Sequence, residues 1–440
     1  MKHPIPDVPL GYTRTNIGVI PKDWSCFPIK AIASSERNAI VGGPFGSDLV
    51  SKDYVEHGVP VIRGINMNSR LIKGPFVFVT NAKAKSLAAN LARPGDLVFT
   101  QRGTLGQVSL VPEQPYNCYL VSQSQMKVTL NRNIVDPAFL LQVFSAPVHQ
   151  KLIRDLTIQT GVPHINLGIL RTIPVQVPSV GEQRLIADAL SDVDRLLTAL
   201  EALIAKKRAI QNAAMQQLLT GNTRLPGFQA RWEMTKMGQL GSIYGGLAGK
   251  NKEDFGVGSG RYITFLNILE NVTINPEQCE RVHISPAESQ NRVLKGDLLF
   301  NATSETAEDL GMASVLNEAI DNLYLNSFCF GFRSRAQSRY NPLFLTYLFR
   351  GAPGRRILYA LAQGATRYNL SKRQFLALEL PIPEPREQLA IATALSDMDA
   401  EIAALEARRD KTRMIKQGMM QQLLTGRIRL VKPEAAEVIA

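Results

Sequence analysis

Cysteine is scarce in this chain. Cys26, Cys118, Cys279 and Cys329 are far apart and form no C-x-x-C pair, which leaves no basis for a disulfide framework or a thiolate zinc site. The five histidines, His3, His57, His149, His164 and His283, never fall at i, i+4 on one helical face, so no metal is expected. No apolar run approaches the roughly 20 residues that a membrane-spanning helix needs. Met1 to Pro6 also lacks the apolar core of a secretory leader, and a cytoplasmic chain without a membrane partner is expected. The glycines at 42, 43 and 46 are not followed by the Lys-Ser/Thr pair of a phosphate loop, so a turn is expected there instead.

What is present points to a large globular protein. The chain has 440 residues, 45% hydrophobic and 20% charged, enough to bury sizeable cores in two or more domains. Lys and Arg number 50 against 38 Asp and Glu, a formal charge of +12. That balance favours a polyanionic partner, because cations that neutralise phosphates release condensed counterions.

The chain repeats itself. Glu182-Gln183-Arg184-Leu185-Ile186-Ala187-Asp188-Ala189-Leu190-Ser191-Asp192 returns as Glu387-Gln388-Leu389-Ala390-Ile391-Ala392-Thr393-Ala394-Leu395-Ser396-Asp397, an offset of 205 that holds without a gap to Gln216-Gln217-Leu218-Leu219-Thr220-Gly221 and Gln421-Gln422-Leu423-Leu424-Thr425-Gly426. Weaker matches precede it in the same order. Asn66 and Gly95-Asp96-Leu97 answer Asn267 and Gly296-Asp297-Leu298, and Pro137-Ala138-Phe139-Leu140 answers Pro342-Leu343-Phe344-Leu345. Between these anchors the residues diverge: Thr100 to Gly106 faces Asn301 to Ala307 with little in common. The repeat unit is therefore a globular domain plus a helix, one framework carrying two different surfaces.

Periodicity supplies the coarse structure. Ile186, Leu190, Val193, Leu197, Leu200 and Ile204 alternate spacings of four and three, as do Ile391, Leu395, Met398, Ile402 and Leu405, which is the heptad pattern of a coiled-coil seam. Each is read as one helix of about 40 residues, roughly 60 Å long. Pro178 and Pro385 stand where they can precede or open a helix, and Gly221 and Gly426 suit the position just past its end. Neither helix has apolar face enough to stand alone, so the two are expected to pair, antiparallel. Runs such as Val59-Pro60-Val61-Ile62 and Asp96-Leu97-Val98-Phe99, beside helical patches such as Pro137 to Phe144, predict α+β domains in which strands dominate.

The order of Gly42-Gly43-Pro44-Phe45-Gly46-Ser47, Val61-Ile62-Arg63-Gly64-Ile65-Asn66, Gly95-Asp96-Leu97-Val98-Phe99, Pro178-x-x-x-Glu182-Gln183 and the Gln-Gln-Leu-Leu-Thr-Gly helix end resembles the specificity subunits of type I restriction-modification systems. The resemblance covers nearly the whole chain. It includes the joint Thr220 to Phe228 leading to Trp232, whose counterpart is split between Thr425 to Leu430 at one end and Gly11-Tyr12 leading to Trp24 at the other. It implies two pseudo-symmetric target-recognition domains, each contacting half of a bipartite site in double-stranded DNA, separated by two long helices in an antiparallel coiled coil that fixes the gap. The domains expected are 1–177 and 222–384, the spacer helices 178–221 and 385–426, and the tail 427–440. The resemblance also implies partners: two modification subunits bound to the helices, which carry out adenine methylation with S-adenosylmethionine, and restriction subunits. No cofactor is expected on this chain, and it is expected not to be an enzyme. In keeping with that, it contains no Asn-Pro-Pro-Tyr or Asn-Pro-Pro-Phe motif, Asn341-Pro342 reading as a helix start like its twin Asp136-Pro137. The rival readings are a methyltransferase or nuclease acting alone, and a coiled-coil scaffold that binds no DNA.

Sequence-specific readout needs fixed donor and acceptor patterns, notably Arg to guanine and Asn or Gln to adenine. Polar residues of the divergent loops are therefore the candidates: Arg63, Arg70, Gln101, Arg102, His164 and Asn166 in the first domain, and Lys250, Asn251, Lys252, Asn301, Arg367 and Asn369 in the second. The bland alternative for each is a solvated loop or turn residue. Asn66 and Asn267 match across the halves and are read as structural. The acidic pairs Asp192/Asp194 and Asp397/Asp399 are two apart on a helix and share no face, so they are read as solvated or partner-binding surface. Met215, Met419 and Met420 are read as packing on a partner or within the coil.

Overall fold

The computed structural model describes residues 8–159, 162–335, 340–364 and 366–431; His3 and the tail beyond Val431 lie outside them. The chain forms two compact units, one of residues 1–199 with 409–440 and the other of residues 200–408. The boundary falls inside both long helices, Val180–Leu218 and Pro385–Leu423. Each unit thus owns half of each helix, where the sequence reading had set the helices apart as separate spacers.

The units share one topology. In the first, an antiparallel four-stranded sheet runs Val108–Leu110, Leu97–Thr100, Gln125–Val128, Ile40–Gly42. In the second, Ala313–Val315, Leu298–Asn301, Cys329–Ser334 and Gly241–Gly245 take the same places in the same order. A further sheet in each contains a parallel pair, Val59–Ile62 with Tyr119–Val121 and Phe255–Ile263 with Leu323–Leu325. The helix that follows, Pro137–Ser145 or Pro342–Arg350, opens on proline with Asp136 or Asn341 capping its first turn. Asp136 Oδ1 accepts the amides of Ala138 and Phe139, and Asn341 Oδ1 that of Phe344, which satisfies donors that a helix start leaves unpaired.

The long helices begin as core elements. Ile186, Ala187 and Leu190 are buried in the first unit's core with Phe99, Phe139 and Phe144, and the far end of the other helix joins the same core through Met420, Leu423 and Leu424. The second unit repeats this with Ile391, Ala392 and Leu395 against Leu218 and Leu219. The methionines therefore pack inward, Met420 within the first core and Met215 against the second. Pairing is antiparallel in both units. Lys416 Nζ lies 2.6 Å from Asp194 Oδ1 in the first, and in the second Lys207 meets Glu401 at 2.6 Å while Gln211 Nε2 donates to Asp399 at 2.6 Å. Asp194 and Asp399, read from the sequence as solvated or partner-binding surface, are thus held in contacts within their own units. Asp194 also accepts from Arg70 and Gln142, and Asp399 from the Tyr347 hydroxyl at 2.5 Å.

Both helices end in a left-handed glycine, Gly221 at φ +72° and Gly426 at φ +67°, the conformation that only glycine adopts without strain. A tryptophan lies against each: a Cβ on Gly221 would sit 3.3 Å from Trp232, and one on Gly426 would sit 3.1 Å from Trp24 and 2.4 Å from Pro21. Among the described residues no helix is long and apolar enough to cross a membrane, and no group of three or more His, Cys, Asp or Glu is placed to hold a metal.

Candidate nucleic-acid interface

In the first unit the four-stranded sheet ends in a knot of loops. The amides of Gln101 and Arg102, just past the strand Leu97–Thr100, donate to Ser124 O at 2.7 and 3.3 Å. Ile165 N donates back to Gln101 O at 3.1 Å, and an isolated bridge pairs Arg102 with His164, which also bridges Ile158. The glycine loop joins them, with the Gln101 side-chain oxygen 3.7 Å from where a Cβ on Gly42 would lie and Gln123 Nε2 donating to Gly46 O at 2.6 Å and Leu49 O at 2.9 Å. Residues from four stretches of chain thus share one end of the sheet.

The second unit builds the same knot. Ala302 N donates to Phe328 O and Leu370 N to Ala302 O, both at 2.9 Å. Thr303 pairs with Asn369, which also pairs with Gln363. Arg102/His164/Ile158 and Thr303/Asn369/Gln363 are therefore the same three positions of one framework, occupied by different side chains.

The predicted residues divide into three groups. Arg102 is exposed at the first knot, with Gln101 and His164 half-buried beside it; Arg367 and Asn369 are exposed at the second. Arg367 lies over the Phe328 ring, 5.1 Å from its centroid, an attraction between guanidinium and ring face that fixes its direction. Asn251 and Lys252 are exposed, the Asn251 amide donating to Asp254 Oδ2 at 2.8 Å. Asn166 is exposed but employed as a helix cap, its Oδ1 accepting from Ile169 N at 2.8 Å. Arg63 is half-buried; its Nε is enclosed without a hydrogen-bond partner among the described residues, and its amide donates to Asn66.

Three candidates are corrected by their surroundings. Asn301 is 0% exposed, its Oδ1 accepting from the Cys329 thiol, so no base edge can reach it. The Lys250 side chain is 4% exposed, with Nζ 2.6 Å from Glu288 Oε2 and donating to His283 O at 2.6 Å. Hydrogen bonds to its carboxylate, from Lys250 first and from Gln290 Nε2 next, hold the Glu288 pKa down at about 2. Arg70 is spent on Asp194, Nη1 to Oδ2 at 2.7 Å; burial pushes the guanidinium pKa down and the carboxylate opposes it. Asn66 and Asn267, read as structural, are buried and brace the loops after them, Asn66 Nδ2 donating to Lys73 O and Pro75 O and Asn267 Nδ2 to Asn275 O.

The matched Glu-Gln pairs carry the framework. Gln183 Oε1 accepts from Asp136 N at 2.8 Å while its amide donates to Pro178 O, and Gln388 does the same with Asn341 N and Pro383 O. Glu182 is fully buried between Arg429 and Trp24, and Glu387 between Arg224 and Trp232.

Two copies of one α+β framework, with matched Glu-Gln pairs and unmatched loop ends, define a paired recognition protein. The family model described as "Type I restriction modification DNA specificity domain" matches the chain twice, over residues 21–211 and 230–412, and the chain belongs to that family. It is similar to the type I restriction enzyme MjaVIII specificity subunit of Methanocaldococcus jannaschii, 24% identical over 71% of this chain and 75% of the relative. It is also similar to the StySPI specificity subunit of Salmonella potsdam, 23% identical over 89% and 85%. The fold is similar to that of the type I restriction-modification S subunit from M. genitalium, with a TM-score of 0.56 at 14% identity over 91% of this chain and 96% of that one.

Phe45 and Phe328 were missed by the sequence reading. Both are exposed large rings on the knots, and a search confined to polar side chains passes over them.

Proposed function

We propose that each unit reads one half of a bipartite site in double-stranded DNA through its loop knot, Arg102, Gln101 and His164 serving the first half and Arg367 and Asn369 the second. The paired long helices set the gap between the halves and carry two modification subunits, to which restriction subunits add. The chain is non-catalytic: S-adenosylmethionine binds to the modification subunits, and the assembly works in the cytoplasm. The observation that supports this reading is the pair of equivalent bridges, Arg102 with His164 and Thr303 with Asn369. A shared backbone fixes register on a duplex, while side chains that differ at the same positions give each half its own donor and acceptor pattern.

The test begins with the host methylome, compared with that of a strain lacking this gene, which supplies the site. The purified assembly is expected to shift a duplex bearing that site in preference to one scrambled in either half. The purified chain alone is expected neither to transfer a methyl group nor to cleave; detection of either activity would overturn the reading.

A further inference from the structure

Each knot displays one phenylalanine, and the two stand at different positions of the shared framework. Ser124 O accepts the amides of Gln101 and Arg102 just as Phe328 O accepts that of Ala302, so Phe328 occupies the place of Ser124. On the glycine loop the correspondence is fixed by close approach: a Cβ on Gly43 would lie 1.9 Å from Ser122 O, and one on Gly246 2.0 Å from Asn326 O. The next residues, Pro44 and Leu247, are both buried, and Phe45 then stands where the second unit has Ala248.

Phe45 is 89% exposed. Single exposed apolar residues are ordinary on protein surfaces; what sets Phe45 apart is its mount. This loop is held on both sides. Gly43 is backed against Ser122, Gly46 takes φ +54°, Gln123 grips the carbonyls of Gly46 and Leu49, and Leu49 is buried beyond them. The ring is thus presented to solvent on a rigid mount, and the turn that grips its loop is the one to which Arg102 is tied. Phe328 differs: Arg367 covers one of its faces.

We propose that Phe45 is a wedge that enters a base step in the half-site read by the first unit, whereas Phe328 is a platform that aims Arg367, so that only one half of the site is unstacked. Apolar side chains inserted between base pairs unstack and kink a duplex. The cost is lowest at flexible pyrimidine–purine steps, which makes the wedge a reader of deformability. The proposal rests on the DNA reading given above.

The test places 2-aminopurine at successive positions through both halves of the methylome-defined duplex and follows its emission with the complete assembly. Each adenine flipped for methylation, one for each of the two modification subunits, brightens in every variant and serves as an internal control. A further brightening, at a position that is not a methylated adenine, is expected in the half whose discrimination Arg102→Ala weakens. Phe45→Ala should abolish it and weaken binding roughly tenfold, Phe45→Leu should retain much of it, and Phe328→Ala should leave it in place while weakening discrimination in the other half. Folding of the variants is checked by their melting temperature. Specific binding without this further brightening, or a further brightening that survives Phe45→Ala, overturns the wedge. Failure to bind the duplex at all would remove the DNA reading itself.

Discussion

Arg429 clamps Glu182: its Nη2 donates to Oε2 at 2.8 Å and its Nε to Oε1, while the Trp24 indole donates to the same carboxylate at 3.1 Å. The first unit thereby ties together three distant stretches of chain, because Asp23 also accepts from Arg429, at 2.7 Å. Arg224, Glu387 and Trp232 form the same cluster in the second unit from a continuous joint. There Arg231 stands where the first unit has Asp23, so Arg224 has one carboxylate where Arg429 has two. The circular relation between the chain ends, visible in the sequence as a split motif, is thus realised as a buried ion pair.

Arg429→Ala should destabilise the first unit by about 3 kcal/mol, because it strands a buried carboxylate on a single indole donor. Calorimetry should show the first unit melting earlier with the second unchanged. Arg429→Lys should rescue little, since an ammonium cannot reproduce the two-point fork. A wild-type melting profile for Arg429→Ala would refute the role.

His149 should make the first unit sensitive to mild acid. Its ring is buried against Phe144, with Nε2 3.2 Å from Pro174 O, and burial lowers its pKa from 6.5 to about 4, the hydrogen bond to Pro174 opposing the shift. Above pH 6.5 both folded and unfolded forms are neutral. Between 6.5 and about 4 only the unfolded chain takes up the proton, so stability falls with pH, by about 3 kcal/mol in all. His149→Phe should cost some stability at pH 7.5, through the lost hydrogen bond, yet flatten the slope in that window. The matching residue of the second unit is Gly354, so the difference between variant and wild type should be confined to the first unit's transition; an unchanged slope would refute it.

Base reading and loop bracing should separate by variant. Arg102→Ala should lose roughly 1–3 kcal/mol of discrimination at one half-site, and Arg367→Ala a similar amount at the other. Lys250→Met should lower thermal stability while preserving discrimination, because its ammonium is committed to Glu288 and His283. Competition binding against single-base variants of the site tests all three. A uniform loss on every sequence for Arg102→Ala would mark it as a phosphate contact instead.

The repeat and the heptads are local patterns, and the paired helices followed from them because a period of 3.5 leaves one face to bury. The knots were legible only as places where the halves diverge. Which polar residues stay free there depends on contacts across the chain: Asp194 takes Arg70, Glu288 takes Lys250, and burial of the strand end takes Asn301. No local spacing announces those pairings. For Phe45 a signal did exist, an aromatic inside a glycine turn facing alanine in the other copy, but it is one of shape, and the polar criterion for readout could not register it.

The paired helices supply the last prediction. Their seam is antiparallel within each unit, with Leu200 and Ile204 buried in the second and Ile186 and Leu190 in the first. Inserting one heptad into each helix, after Ala199 and after Arg408, keeps the apolar faces in register. It adds about 10 Å, equivalent to roughly three base pairs. Methylation mapping should then recover both half-site sequences unchanged with a gap longer by about that amount. Inserting two residues in each helix instead turns the seam by about 200°, so it should cost stability and assembly and yield no new gap. Unchanged spacing with the heptad insertion would mean that the gap is set elsewhere, by the loops or by the partner subunits, and the helices would lose their role as ruler while each unit kept its role as reader.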